Sequence, residues 1–197
     1  MSRNLEEKQI AQIIQTSESS DSEVIQRVKS GMRDEYRILV TRHQDALYRL
    51  LLRQTGDSGV AHDLAQDTFI RAFSSLSSFR EDSTFSTWIT RIALNLSNNY
   101  FASRTYKERK RTLQNASQQE PHVSAGVEIE QKLVLLREFI SELKPKYRDA
   151  ITLCGLEKKS YEEAASILKI PVGTVRSRLH EARLQLRERF NREAREL

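Results

Sequence analysis

Basic and hydroxyl side chains crowd ten residues near the C-terminal end of the sequence. The group comprises Thr174, Arg176, Ser177, Arg178, His180 and Arg183. An Arg side chain bonds the edge of guanine through two nitrogens, and Ser or Thr hydroxyls bond phosphates or base edges. The residue types therefore point to a nucleic-acid partner. The competing interpretation is the solvated basic face of an ordinary helical hairpin.

Two predicted helices present this group. Ser160 and Glu163 form a capping box that predicts a short helix over Tyr161–Leu168, whose Ala164 allows a second helix to pack closely. The second helix is predicted from Val172 to about Arg192, because the connection before it leaves room only for a tight turn. Its buried face is predicted from the three- and four-residue spacing of Val175, Leu179, Ala182, Leu186 and Phe190. Such a pair is a helix-turn-helix, whose second helix enters the major groove of DNA.

Composition favours a helical protein with an anionic partner. The 197 residues hold 32 Lys and Arg against 27 Asp and Glu, a net charge of +5. Six Gly and three Pro are too few for the many tight turns of an all-β fold. The length excludes a large multidomain enzyme.

The sequence offers no pattern typical of catalytic or metal chemistry. Cys154 is the single cysteine, and His43, His62, His122 and His180 share no ligand spacing. We therefore expect no catalytic residue, metal or cofactor. A polar, acidic N-terminus and the lack of a run of about 20 apolar residues predict a cytoplasmic protein without membrane insertion.

Apolar periodicity divides the chain into two helical parts. The predicted fold class is all-α, with two small helical domains joined by a flexible linker and a helix-turn-helix in the second. Residues 1–20 are predicted to be an N-terminal extension, 21–103 the first domain and 104–126 the linker. Residues 127–192 are the predicted second domain, followed by a tail at 193–197.

Three motifs together resemble those of the extracytoplasmic-function (ECF) sigma factors, a sigma-E-like group of the bacterial sigma-70 family. HDLAQDTFIRAF, residues 62–73, is similar to region 2.2, and FREDSTFSTWITRIALNLSNNY, residues 79–100, to regions 2.3 and 2.4. SYEEAASILKIPVGTVRSRLHEAR, residues 160–183, is similar to the helix-turn-helix of region 4. The resemblance spans about residues 22–192.

The resemblance implies a sigma factor, not an enzyme, that binds core RNA polymerase and directs promoter recognition and transcription initiation. An envelope or other stress response and an anti-sigma factor are implied with it. Contacts with the clamp helices of the β′ subunit are implied for Asp63, Gln66, Asp67 and Ile70. Region 4 is implied to bind the flap of the β subunit as well as promoter DNA.

The resemblance also assigns the DNA contacts. Recognition of the minus-ten element is implied for Arg80, Ser83, Thr84, Arg91, Asn95 and Asn99. The flipped base of an opened promoter needs a polar pocket and stacking groups, which the loop before Phe85 is expected to supply. Recognition of the minus-thirty-five element is implied for the basic and hydroxyl side chains within residues 174–183.

Several features leave alternatives open. Trp88 is either a core residue, which its helical spacing favours, or a wedge between strands. A basic run either tracks phosphates or is a solvated linker; it comprises Arg104, Lys107, Arg109, Lys110 and Arg111. Glu181 departs from a position that is often basic, which leaves the base preference open. A different class of function is a stand-alone helix-turn-helix regulator with an N-terminal effector or dimerisation domain.

Overall fold

The structure is a computed structural model that describes residues 19–103, 106 and 125–196. These ranges contain eight α-helices: α1 (Asp21–Lys29), α2 (Tyr36–Thr55), α3 (Ser58–Ser75), α4 (Phe85–Ala102), α5 (Ala125–Glu142), α6 (Pro145–Ala150), α7 (Tyr161–Leu168) and α8 (Val172–Glu196). Short 3₁₀ turns follow α1 and α3, and a π-helical turn over Ile151–Leu156 continues α6. No strand occurs in these ranges, so the predicted all-α class is confirmed. None of the described helices has the length and hydropathy needed to cross a bilayer.

Side-chain caps set the first turns of the N-terminal helices. Ser20, Asp57 and Thr84 each accept a hydrogen bond from the backbone N–H three residues later, at the starts of α1, α3 and α4. The end of α2 is set by Gly56, whose φ of 72° is a left-handed conformation that glycine adopts without strain. These caps confine each helix to its apolar stretch.

Helices α2, α3 and α4 enclose the core of the first part of the chain. Fully buried side chains include Leu39, Leu51, Ala61, Ala72, Phe85, Ile89 and Leu94. Trp88 is half-buried, and its ring lies 4.8 Å from that of Phe79 and 5.8 Å from that of Phe85, centroid to centroid. The core interpretation of Trp88 is therefore the one that the packing favours.

The helix-turn-helix forms as predicted. Helix α7 spans the predicted residues, begins with the capping box of Ser160 and Glu163, and ends at Lys169. The predicted inner face of α8 is buried at Val175, Leu179, Ala182 and Leu186. Phe190 is half-buried, with its ring centroid 4.9 Å from that of Phe139 on α5. Helix α8 runs about one turn beyond its predicted end.

The two parts of the chain pack against each other and share a core. Leu153, Ala164, Ala165, Ile167 and Val175 join the buried cluster formed by α1 to α4. The sequence predicted two helical domains, and the second has a further buried cluster of its own around Phe139, Ile140 and Leu179. Of the predicted linker, the structure describes only Tyr106 and the first residues of α5. Its basic run and the extension before Ser19 lie outside the described residues.

A buried polar cluster lies between α2, α4 and α6. Asn98 Nδ2 donates to Asp149 Oδ2 at 3.0 Å, and Gln54 Nε2 donates to Asp149 Oδ1 at 3.1 Å. Arg148 Nη2 donates to Asn98 Oδ1 at 2.8 Å, and the guanidinium lies 3.8 Å from the ring centroid of Phe101. Gln54, Arg148 and Asp149 are 1%, 2% and 8% exposed. Removing one member would leave its partner buried and unpaired, which is costly.

Burial shifts the proton affinities in this cluster. It raises the pKa of Asp149 to about 6, and hydrogen bonds from Asn98 and the charge of Arg148 offset part of the shift. Burial also lowers the pKa of Arg148. The folded chain therefore holds a proton on Asp149 at a pH where an exposed carboxyl has lost it.

We predict that Asp149→Asn changes the pH dependence of stability. Since the pKa of Asp149 is raised on folding, its contribution to stability is complete below about pH 4 and is lost as the pH rises through about 6. The wild type should lose about 2 to 3 kcal/mol of unfolding free energy relative to the variant over this range, because one pKa unit corresponds to about 1.4 kcal/mol. Urea unfolding at a series of pH values measures this difference.

Asp45→Asn is the matched control, because Asp45 is an exposed carboxyl on the neighbouring α2. Its unfolding free energy should follow that of the wild type at every pH. Parallel curves for the wild type and Asp149→Asn would contradict the prediction.

Candidate nucleic-acid interface

The basic group on α8 presents most of its side chains to solvent. Arg176, Ser177, His180 and Arg183 are exposed, whereas Thr174 and Arg178 are half-buried. The hydroxyl of Ser177 donates to the carbonyl of Thr174 at 3.0 Å, so it is already bonded within the helix. The N-terminal half of α8 therefore offers two Arg and one His for contact with an anionic duplex.

Arg176 is supported by an aromatic ring from the preceding helix. Its guanidinium carbon lies 5.3 Å from the ring centroid of Tyr161, the first residue of α7. A cation over an aromatic face is stabilised by about 0.5–1 kcal/mol at exposed sites. The contact limits the positions that the guanidinium samples. Sequence reasoning missed Tyr161, although its place directly after the Ser160 cap makes it the first residue of the helix that packs against α8.

Two further charged side chains on α8 interact with other groups of the protein. Arg178 lies near enough to Asp149 for its charge to lower the pKa of that carboxyl, although this effect is smaller than that of burial. Glu181 Oε1 accepts a hydrogen bond from Gln185 Nε2 at 2.6 Å, one turn further along α8. The carboxylate of Glu181 is thus held against its own helix.

A short loop between two buried aromatic side chains, Phe79 and Phe85, carries the candidate base pocket. Arg80 is exposed, and the hydroxyl of Thr84 caps α4 by accepting from the N–H of Thr87 at 3.1 Å. Ser83 Oγ is buried and makes no hydrogen bond within the part of the chain that the structure describes. A buried hydroxyl without a partner costs free energy, so a polar ligand that reached it would gain a bond.

Three candidate side chains lie one turn apart along α4. Asn95 and Asn99 are exposed and available to a ligand. Arg91 is not, because its guanidinium donates to the carbonyls of Ser166 at 2.9 Å and Ile167 at 2.7 Å at the end of α7. Burial lowers the pKa of Arg91, and the carboxylate of Asp82 opposes this shift. The last carbonyls of a helix carry partial negative charge, which suits a cation.

An acidic and apolar face lies on α3. Asp63, Gln66 and Asp67 are exposed, and the apolar side chain of Ile70 is 66% exposed beside them. Phe73, one turn beyond Ile70, is 38% exposed, and its ring centroid lies 4.9 Å from that of Tyr36. Single exposed apolar side chains are normal on soluble proteins, whereas neighbouring ones with a polar rim, as at Ile70 and Phe73, are one mark of a protein-binding surface. Sequence reasoning found four of these residues and missed Phe73.

The described residues contain no cluster of three or more His, Cys, Asp or Glu side chains that would hold a metal ion. Cys154 is half-buried, and burial raises the pKa of its thiol, which favours the less reactive protonated form.

Family models match both parts of the chain. The model of sigma-70 region 2 matches residues 39–106, and that of sigma-70 region 4 matches residues 133–186. The RNA polymerase sigma-H factor of Pseudomonas aeruginosa is 33% identical over 177 residues, covering 85% of this chain and 92% of the relative. The ECF RNA polymerase sigma-E factor of Escherichia coli K12 is 37% identical over 175 residues, covering 83% and 91%.

Solved structures share the fold. CnrH, in complex with the cytosolic domain of CnrY, superposes with a TM-score of 0.62 at 24% identity, covering 88% of this chain and 98% of that chain. The sigma factor RpoE of Bartonella quintana, in complex with the anti-sigma factor NepR, superposes with a TM-score of 0.51 at 25% identity, covering 78% and 95%.

Proposed function

The chain belongs to the ECF group of the sigma-70 family of RNA polymerase sigma factors. We propose which of its surfaces bind each promoter element and core RNA polymerase. Residues 21–103 serve as region 2 and residues 127–192 as region 4. The helix-turn-helix with its basic face is the observation that carries this assignment. Members of the family are transcription initiation factors, and the proposed role consists of binding DNA and polymerase without making or breaking a covalent bond.

The minus-thirty-five element binds to the N-terminal half of α8 as duplex DNA. Arg176 is the side chain most suited to a base edge, since it is exposed and held over the ring of Tyr161. His180 and Arg183 lie one and two turns further along the helix. The hydroxyls of Thr174 and Ser177 and the charge of Arg178 contribute contacts to phosphate or base edges.

The minus-ten element binds as an opened strand beside α4. The loop over Arg80–Thr84 receives the flipped base, with the unpaired hydroxyl of Ser83 as the donor or acceptor for its edge. Asn95 and Asn99 extend this surface along the exposed side of α4. Arg91 joins it when its bonds to the carbonyls of α7 are released.

Core RNA polymerase binds the face of α3 that holds Asp63, Gln66, Asp67 and Ile70. Ile70 offers an apolar anchor, and the two carboxylates beside it suit a basic partner such as the clamp helices of β′. Region 4 contacts the flap of the β subunit. The protein acts in the cytoplasm, where the polymerase transcribes.

Reading both promoter elements requires the two regions to separate. Elements about 25 base pairs apart are about 85 Å apart at 3.4 Å per base pair. In the structure the two regions pack against each other, which we call the closed arrangement, and Arg91 of α4 donates hydrogen bonds to the end of α7. The 22 residues between Ala102 and Ala125 would span at most about 75 Å when extended, so the widths of the two helical regions must supply the rest of the distance.

Regulation by an anti-sigma factor is supported by the RpoE structure, which is a complex with the anti-sigma factor NepR. We infer a comparable partner for this chain and a role in an envelope or other stress response, as the ECF group suggests. Such a partner would hold the regions in an arrangement that excludes polymerase.

Gel-shift assays with and without core polymerase test the proposed function. A sigma factor should bind promoter DNA tightly and specifically only with core enzyme, because its minus-ten contacts need an opened strand. Tight, specific binding by the free protein would favour the stand-alone regulator instead. Run-off transcription on a promoter library, in which the minus-ten and minus-thirty-five positions are randomised, then defines the preferred sequence.

We predict that Arg176→Ala weakens promoter binding by about 1–3 kcal/mol and relaxes the base preference at one minus-thirty-five position, because it removes one base contact. Run-off transcription with core enzyme on the promoter library measures this preference. Arg187→Ala is the control, since Arg187 is exposed on α8 beyond the proposed reading half. An unchanged profile for Arg176→Ala would show that another face of α8 reads the DNA.

We predict that Ile70→Ser weakens binding to core polymerase about tenfold or more. A buried Ile side chain contributes about 1.5–3 kcal/mol, and the exposed position leaves the fold intact. A competition assay for core enzyme with a labelled sigma factor measures the affinity. Met32→Ser is the control, because Met32 is also an exposed apolar residue, at 54%, away from α3. If both variants bound core polymerase with the affinity of the wild type, this face would be excluded as the core-binding surface.

A further inference from the structure

Glu81 has an unusual backbone conformation within the candidate base pocket. Its φ of 61° lies in the left-handed region, which a side chain with a Cβ adopts at a cost in free energy. Such conformations persist only where surrounding contacts hold them, and they cluster at binding sites. The contacts of Glu81 therefore show what holds this loop.

The carboxylate of Glu81 is bound by one face of α1. It accepts hydrogen bonds from the hydroxyl of Ser22 and, at 2.5 Å, from Gln26 Nε2. Lys29 Nζ lies 3.9 Å from the same carboxylate and donates to the carbonyl of Phe79 at 2.7 Å. Residues 22, 26 and 29 are spaced by four and three, so they share one side of α1. Two points of the loop are thus fastened to this helix.

Helix α1 is itself firmly packed, which makes it a suitable anchor. Val24 and Ile25 are 0% and 1% exposed within the core. Asp21 at its first turn pairs with Arg42 at 2.9 Å and with His43 at 2.7 Å, both on α2. The helix precedes residue 39, where the match to the region 2 model begins. The comparison therefore assigns it no role.

We propose that Glu81 is a positioning residue for minus-ten recognition, which fastens the loop to α1 and so fixes Arg80 and Ser83 for the flipped base. The inference rests on the proposed function of this loop. Arg80 precedes Glu81 and Ser83 follows two residues later, so the backbone at Glu81 sets the direction of both. Without the anchor, the left-handed conformation is no longer stabilised and the loop samples others.

Run-off transcription on the promoter library tests this, with holoenzyme assembled from core polymerase and full-length variants. Glu81→Ala should lower the preference at one minus-ten position about twofold to tenfold, the effect of about one lost hydrogen bond. Preferences in the minus-thirty-five element and affinity for core enzyme should stay unchanged. Glu81→Gln should retain most of the preference, because its amide oxygen still accepts from Ser22 or Gln26.

Two further variants separate the side chain from the backbone. Glu81→Gly adopts the left-handed conformation freely but lacks the anchor, so we expect it to lose preference as Glu81→Ala does. Wild-type preference in Glu81→Gly would overturn the proposal. Glu35→Ala is the matched control, since Glu35 is similarly half-buried and pairs with Arg27 of α1 at 2.5 Å, away from the loop. It should behave as the wild type.

Ser83→Ala and Arg80→Ala distinguish the failure of this inference from the failure of the proposed function. If neither changes the minus-ten preference, the loop is not the base pocket and the proposed function is wrong at this site. If they change it and Glu81→Ala does not, only the positioning role is wrong. A uniform loss at every promoter, with lowered thermal stability, would show a merely structural role and overturn the proposal.

Discussion

The buried contact of Asp149 and Arg148 with Asn98 and Gln54 is the polar centre of the packing between the two helical regions, which also share an apolar core. Amide and charged groups dominate this contact, which makes it different from the apolar core around it. Polar groups regain hydrogen bonds from water when they separate, whereas apolar surface gains nothing. The cluster therefore favours one arrangement of the two regions, and its groups would regain hydrogen bonds from water in the separation that the proposed function requires.

Local signals predicted the helix-turn-helix because its determinants lie close together in the chain. The capping box at Ser160 and the inner face from Val175 to Leu186 act over one to four residues, so spacing alone revealed them. The closed arrangement had no such signal. Asn98 and Asp149 lie 51 residues apart in sequence, and Gln54 and Asp149 lie 95 apart. Polar residues on helices otherwise indicate only solvent exposure.

The residues of the candidate site also divide into those that local spacing predicts and those that tertiary contacts determine. Exposure of Arg176, Asn95 and Asp63 followed from helical periodicity, which opposes polar positions to the buried stripe. Periodicity did not predict the partner of Arg91, since the carbonyls of α7 reach its guanidinium only through tertiary packing. The conformation of Glu81 was equally hidden, because nothing local favours a left-handed Glu and the contacts from α1 supply the reason.

Arg178 belongs both to the surroundings of Asp149 and to the proposed DNA-reading face of α8. Its charge lowers the pKa of Asp149, but burial, the hydrogen bonds from Asn98 and Gln54 and the charge of Arg148 all have larger effects. Under the proposed function, the same guanidinium contacts the phosphates of the minus-thirty-five duplex, which would weaken its effect on Asp149. Because Arg178 and Asp149 both lie in region 4, the contacts that cross to region 2 are those of Asn98, Gln54 and Arg91, and these are the contacts that separation of the regions has to break.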